Sequence, residues 1–209
     1  MIESKDIVQL FSYPIFVTKY PHNFDQELKY ILDLDYHTSG ERWDLTYASQ
    51  SKDSFVLDRI ALVKIRTFIA LTLDEFMNDV YGSSDRLTIT QSWVNRSGKN
   101  CHHPMHQHPN SILSGVWYPS IHEDSPHIQF NKKTPSISFK KHTNNAYNSD
   151  NCLIPMKAGD LIIFPSNLSH CVPPNKIDQE RVSLSFNTWT KGSIGDEKLL
   201  TYLPLDRCV

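Results

Sequence analysis

At Gly82 the apolar pattern of this chain changes period, and that change constrains the fold more than any other feature. Over residues 58–81, Leu62, Ile65, Ile69, Phe76 and Val80 recur at three- and four-residue steps. This is one face of a helix, with Asp58 placed to cap it and Gly82 to stop it. Beyond Gly82 the period is two. Residues 87–95, 112–118, 127–130, 136–139, 161–164 and 181–189 are short strand candidates separated by Asn, Pro, Gly and Asp. Short strands punctuated in this way predict a sandwich or barrel, with the helix lying on a sheet, in a mainly β (α+β) protein. Upstream, residues 15–20 read as a strand, and Asn23 caps a short helix carrying Phe24, Leu28, Ile31 and Leu32. The Asn-rich stretch HTNNAYNSDN, residues 142–151, reads as an exposed loop. With 209 residues and neither repeats nor a linker, one domain is expected over 1–209: a helix-and-strand support at 1–85, a β core at 86–190 and a tail at 191–209.

Charge and cysteines narrow the partners. Twenty-one Lys and Arg against 23 Asp and Glu give a net charge of −2, which offers no electrostatic reason to expect nucleic acid or an acidic membrane. A small molecule or a protein is expected instead. Cys101, Cys152, Cys171 and Cys208 form no CxxC pair, the N-terminus lacks the layout of a signal peptide, and no apolar run approaches the roughly 20 residues of a spanning helix. These features predict a soluble, cytoplasmic protein with free thiols.

Two stretches carry chemistry. In RVSLSFNTW, residues 181–189, Val182, Leu184 and Phe186 alternate with Arg181, Ser183, Ser185 and Asn187, so one face is apolar and the other polar. Taken alone, the polar face reads as the solvent side. The alternative is a barrel with a polar cavity inside it. In CHHPMHQHPN, residues 101–110, His106 and His108 are two apart and project from one face of an extended segment, as a metal requires. His102 and His103, as neighbours bordered by Pro104, read as surface loop residues. PMKAGDLIIFPSNLSH, residues 155–170, places a turn at Gly159-Asp160, a buried strand, a second turn, and then His170 where a rigid scaffold can aim it. Two histidines, a distant third and an inward Arg181 could hold a metal beside a carboxylate-bearing ligand, with the Arg as bidentate partner.

The order W-x-N (Trp93 to Asn95), HxHPNSxLSGVWY (His106 to Tyr118), GDxIxFPSxLxH (Gly159 to His170) and RxSxSFN (Arg181 to Asn187) resembles the 2-oxoglutarate and Fe(II)-dependent oxygenases, in the branch common in bacteria and phages and related to prolyl hydroxylases. The resemblance implies a double-stranded β-helix, the jelly roll of cupins, over the β core, with flanking helices from the N-terminal part. It implies Fe(II) held by His106 and His170, and 2-oxoglutarate whose distal carboxylate meets Arg181, Ser183 and Tyr118. Asn95, Asn187 and Trp189 are candidates to line the pocket. The third ligand position, a carboxylate in most such enzymes, is His108 here, and an all-histidine triad is expected. Glu123 and Asp124, on the loop after Pro119, read as solvated. The activity implied is a dioxygenase reaction, in which O2 drives oxidative decarboxylation of 2-oxoglutarate to succinate and carbon dioxide, coupled to hydroxylation of a second substrate. Peptidyl or free amino acids are the targets suggested by the prolyl hydroxylases, and host cytoplasm the location if the source is a phage. Two other readings stand beside it: a cupin-like three-histidine metalloenzyme that does not use 2-oxoglutarate, and a β-sandwich interaction module without catalysis.

Overall fold

A computed structural model describes residues 12–37, 48–132 and 140–205. The strand expected at 136–139 and Cys208 lie outside the described residues. In chain order the elements are β1 (Phe16–Lys19), α1 (Asp25–Leu32), β2 (Ser49–Gln50), α2 (Val63–Tyr81), β3 (Leu87–Ser97), β4 (His103–His106), β5 (Leu113–Ser120), β6 (Ile128–Asn131), β7 (Asn151–Ile154), β8 (Asp160–Pro165), β9 (His170–Val172) and β10 (Arg181–Thr190). Two short 3-10 turns, Val56–Asp58 and Ile60–Leu62, lead into α2.

From β3 onward the chain shuttles between two antiparallel sheets. The larger has the order β1-β8-β5-β10-β3-β2 and the smaller β4-β9-β6-β7. Eight strands distributed in this way form a double-stranded β-helix, with β1 and β2 extending the larger sheet at its edges. The expected mainly β architecture is therefore observed.

Each central strand of the larger sheet has two buried faces with different tasks. Trp117, Leu161, Ile163, Val182, Leu184 and Phe186 point outward and share one apolar core with Ile65, Ile69, Leu73 and Phe76 of α2. Val116, Tyr118, Ile162 and Phe164 point inward, into a second cluster with Ile128, Phe130 and Met156 between the sheets. Burial on both faces explains why β5 and β8 read as continuous apolar runs in the sequence. Each fully buried large side chain of α2 contributes roughly 1.5–3 kcal/mol, so this helix clamps the outer face of the sheet. Among the described residues, no helix is long and apolar enough to cross a membrane.

Two details of the helix differ from expectation. Asp58 does not cap α2; it sits in the preceding 3-10 turn and pairs with Arg66 at 3.0 Å. Val80 is exposed, because the last turn of α2 has run past the edge of the apolar core. Gly82 ends the helix as expected, in the left-handed conformation (φ 61°) that glycine adopts without steric cost. Gly115, in the middle of β5, has another reason to lack a side chain. It pairs with Phe186, and a Cβ there would meet Phe186 Cε1 at 2.7 Å and Ile162 O at 2.8 Å. The SGVWY and SxSFN motifs are thus fitted to one another across the sheet.

Candidate metal and anion site

The outward face of β10 being apolar and packed under α2, its alternate residues must point between the sheets. Arg181, Ser183 and Ser185 are buried there, lining a cleft with about 420 Å³ of atom-free space that opens to solvent. The solvent-side reading of this polar face is therefore wrong. It fails because a second sheet covers it, and of that sheet's strands β6 alone is expected from the sequence, while β4, β7 and β9 are not.

β4 and β9 bring the histidines together from the opposite sheet. His106 pairs with His170 across the ladder, and His170 pairs on its other side with Phe130. His108 lies two residues beyond β4, where its backbone N–H donates to Ser166 O at 3.0 Å. Ring centroids are 4.3 Å apart for His106 and His170, and 5.1 Å apart for His108 and His170. One ligand nitrogen from each of the three falls within 4.8 Å of the others, so the trio could hold a metal ion.

The hydrogen bonds behind the rings determine what the rings present. His106 Nδ1 lies 2.7 Å from Pro104 O, His170 Nδ1 2.8 Å from Leu168 O, and His108 Nδ1 2.7 Å from Asn187 Oδ1. An oxygen of this kind only accepts, so each Nδ1 carries the hydrogen and each Nε2 of a neutral ring is left with a bare lone pair. His108 Nε2 and His170 Nε2 face one another at 3.2 Å. Two lone pairs at that distance repel unless a cation lies between them, and imidazole nitrogen suits iron, zinc, copper or nickel. The residues present fit Fe(II) on this ground.

Electrostatics keep the His108 and His170 rings neutral. Burial pushes the His170 pKa down to about 3 and the His108 pKa down to about 4, in both cases with His106 adding repulsion. Asn187 opposes this at His108 by accepting from it, and its Oδ1 also accepts from Ser114 Oγ at 2.9 Å. Ser114 continues to Ser166 and Ser111 through hydroxyl contacts of 2.8 Å each. The serines of the HPNSxLS and FPS motifs therefore form a polar brace behind His108. Trp93 stacks on the same ring, with centroids 5.9 Å apart and planes 22° off parallel.

At the other end of the cleft is a cation without an anion. Arg181 is only 2% exposed, yet among the described residues no carboxylate pairs with it. Its Cζ lies 5.0 Å from the Tyr118 ring centroid, it reaches Ser183 Oγ only at 3.4 Å, and its Nε has no partner. Tyr118 Oη and His103 Nε2 are likewise sealed from solvent and unpartnered. Burial raises the Tyr118 pKa, and the nearby guanidinium only partly offsets this. Among the described residues, no Asp or Glu lines the cleft. A buried charge and several buried donors left unpaired are costly, so this end is built for an anion, which no described residue supplies.

Most of the sequence-predicted residues meet in this one cleft, though not all. His106, His108, His170, Arg181, Ser183, Tyr118 and Asn95 line it. Asn187 stands behind His108 rather than in the wall. Trp189 is 43% exposed and outside the cleft; β10 last pairs with β5 at Asn187↔Ser114 and runs on beside β3 alone, so Trp189 has left the covered part of the sheet. Glu123 and Asp124 are exposed with His122 on the loop after β5, as expected. His103 is the residue that sequence reasoning missed. A register shift between His103 and His106 turns both toward the cleft although they are three apart, and period-two alternation cannot reveal that.

Comparison with known proteins agrees with this geometry. Residues 91–187 match the family described as "Putative 2OG-Fe(II) oxygenase". No curated protein matches the sequence. Solved structures share the fold at low identity. An oxidoreductase of the 2OG-Fe(II) oxygenase family from Burkholderia pseudomallei is 14% identical over 83% of each chain, with a TM-score of 0.59. HygX from Streptomyces hygroscopicus, solved with nickel, 2-oxoglutarate and hygromycin B, is 10% identical over 84% of this chain and 82% of its own, with a TM-score of 0.59. A Pseudomonas putida prolyl-4-hydroxylase is 11% identical over 87% of this chain and 95% of its own, with a TM-score of 0.57. Residues 91–187, which span the three clustered histidines, Tyr118, Arg181 and Asn187, are thus similar to the 2OG-Fe(II) oxygenase family.

Proposed function

We propose that the protein hydroxylates a second substrate at the cleft, with His106, His108 and His170 holding Fe(II) and Arg181, Ser183 and Tyr118 holding the distal carboxylate of 2-oxoglutarate. The observation that carries this is the pairing of opposites in one cavity: three inward Nε2 lone pairs at one end and a buried, anion-free guanidinium at the other. When bound, Fe(II) and 2-oxoglutarate supply O2 activation through oxidative decarboxylation to succinate. The chain's own residues set the geometry. Arg181 neutralises one carboxylate and fixes the direction of the dicarboxylate, while Tyr118 and Ser183 donate to the same group. The three neutral imidazoles leave the cosubstrate dianion to balance the metal's charge. Asn187 and the serine brace hold the His108 ring so that Nε2 is aimed inward.

The cupin-like alternative without 2-oxoglutarate leaves the buried Arg181 with no anion to meet. For the second substrate, the peptidyl or free amino-acid class follows from the likeness to prolyl hydroxylases, supported by the fold shared with the Pseudomonas putida enzyme. One domain over residues 1–209 is supported by the apolar core that α2 shares with the larger sheet. A cytoplasmic setting fits the free thiols of Cys101, Cys152 and Cys171. The test is O2-dependent formation of succinate from 2-oxoglutarate by Fe(II)-loaded protein, with amino acids and peptides screened for stimulation. No succinate above that formed by iron alone would overturn the proposal.

A further inference from the structure

His103 has no part in the metal trio, yet it lines the same cleft. Its Nε2 is sealed from solvent without a hydrogen-bond partner, a state that buried polar atoms rarely occupy in a finished structure. Two other buried atoms share that condition and that cleft, Arg181 Nε and Tyr118 Oη. Arg181 and Tyr118 come from the larger sheet, whereas His103 comes from β4 of the smaller one, so the three groups enclose the cavity from both sheets. An N–H that cannot accept, a phenolic O–H and an imidazole N–H are all able to donate, and one carboxylate offers about four acceptor sites.

Resting on the function proposed above, we infer that His103 is a specificity-determining residue, whose Nε2–H donates to the distal carboxylate of the 2-oxo dicarboxylate held by Arg181. A neutral donor suits this position better than a second cation. Arg181 already compensates the carboxylate charge, and burial, with the Arg181 field adding to it, pushes the His103 pKa down to about 3. A neutral N–H adds a bond that a monocarboxylate cannot satisfy. A keto acid lacking the distal carboxylate leaves the Arg181, Tyr118 and His103 donors buried and unpaired, which is the most discriminating form of selection available to such a site.

The test is anaerobic titration of Fe(II)-loaded protein, wild type and His103→Phe, with 2-oxoglutarate and with 2-oxopentanoate, which replaces the distal carboxylate by a methyl group. Binding is read from visible absorption and tryptophan fluorescence, and iron stoichiometry is measured alongside. His103→Phe is expected to weaken 2-oxoglutarate roughly ten- to hundredfold. It should leave 2-oxopentanoate and the iron content unchanged. His103→Gln, which keeps an N–H donor, is expected to recover part of the loss. Unchanged affinity for 2-oxoglutarate in His103→Phe overturns the inference, as does an equal loss for both keto acids. Failure of the function proposed above looks different: Arg181→Met would then bind 2-oxoglutarate as the wild type does. If His103→Phe does not fold, the wild-type protein decides the matter. In the Zn(II)-loaded form, a His103 Nε2–H proton resonance shifted downfield by 2-oxoglutarate but not by 2-oxopentanoate supports the bond, and identical spectra overturn it.

Discussion

At the histidine end of the cleft the protein supplies every outer hydrogen bond itself, through Pro104 O, Leu168 O and Asn187 Oδ1. At the arginine end Arg181 Nε, Tyr118 Oη and His103 Nε2 have no hydrogen-bond partner among the described residues. The difference teaches how one cavity can be readied for ligands of opposite sign. Completing the Nδ1 side of an imidazole exposes a lone pair, which only a cation or a donor can use. Withholding partners from donors exposes hydrogens, which only an acceptor can use. The first end is rigid before anything binds; the second is completed by what binds.

The comparison breaks most visibly when the histidine end loses a ligand. His106→Ala and His170→Ala are expected to abolish iron binding, while His108→Asp retains it by restoring the commoner carboxylate; metal content of the purified variants measures all three. Acid comes next. The pKa values of His103, His108 and His170 lie far below their ordinary 6.5, so the unfolded chain takes up protons that the folded chain refuses. Metal-free stability is therefore full above about pH 6.5 and falls as the pH drops toward 4, by about 1.4 kcal/mol per pH unit for each of these rings. Urea unfolding at stepped pH reads this directly, and a flat profile between pH 6.5 and 5 would contradict it.

At the arginine end, Arg181→Met is expected to weaken 2-oxoglutarate roughly 30-fold or more, the lower bound for removing one partner of a buried charge pair. It should spare iron and raise the melting temperature of the ligand-free protein, because an unpaired buried charge has been removed. An unchanged or lower melting temperature would mean that Arg181 is already compensated in the free protein. The smallest effect sharpens the contrast. Asn187→Leu should cost only roughly 10- to 100-fold in iron affinity, the usual size for a group behind a ligand. Its cosubstrate affinity, measured at saturating iron, should barely move.

The sequence made most of the larger sheet legible and, apart from β6, hid the smaller one. β5, β8 and β10 carry long apolar or alternating runs, so their boundaries are recovered within a residue or two. β4, β7 and β9 are three or four residues each, and β4 and β9 carry the histidines themselves, so no periodicity marks them as strands. Without those strands the polar face of Arg181, Ser183 and Ser185 looks solvated. The site was legible where two residues share a face, as in His106-x-His108, and illegible where tertiary pairing breaks alternation, as at His103. Asn187 and Trp189 mark a further limit. Alternation assigns both to the face of Arg181, but it cannot say that Asn187 stops behind a histidine or that β10 outruns its cover before Trp189.

The most direct test of the two-ended cavity is an anaerobic titration of 2-oxoglutarate into the protein with and without Fe(II), followed by visible absorption and calorimetry. A saturable one-to-one complex that shows visible absorption, forms much more tightly with Fe(II) present and weakens in Arg181→Met is the predicted result. Binding of 2-oxoglutarate that is indifferent to Fe(II), or Fe(II) binding with no effect of 2-oxoglutarate on the visible spectrum, would contradict it.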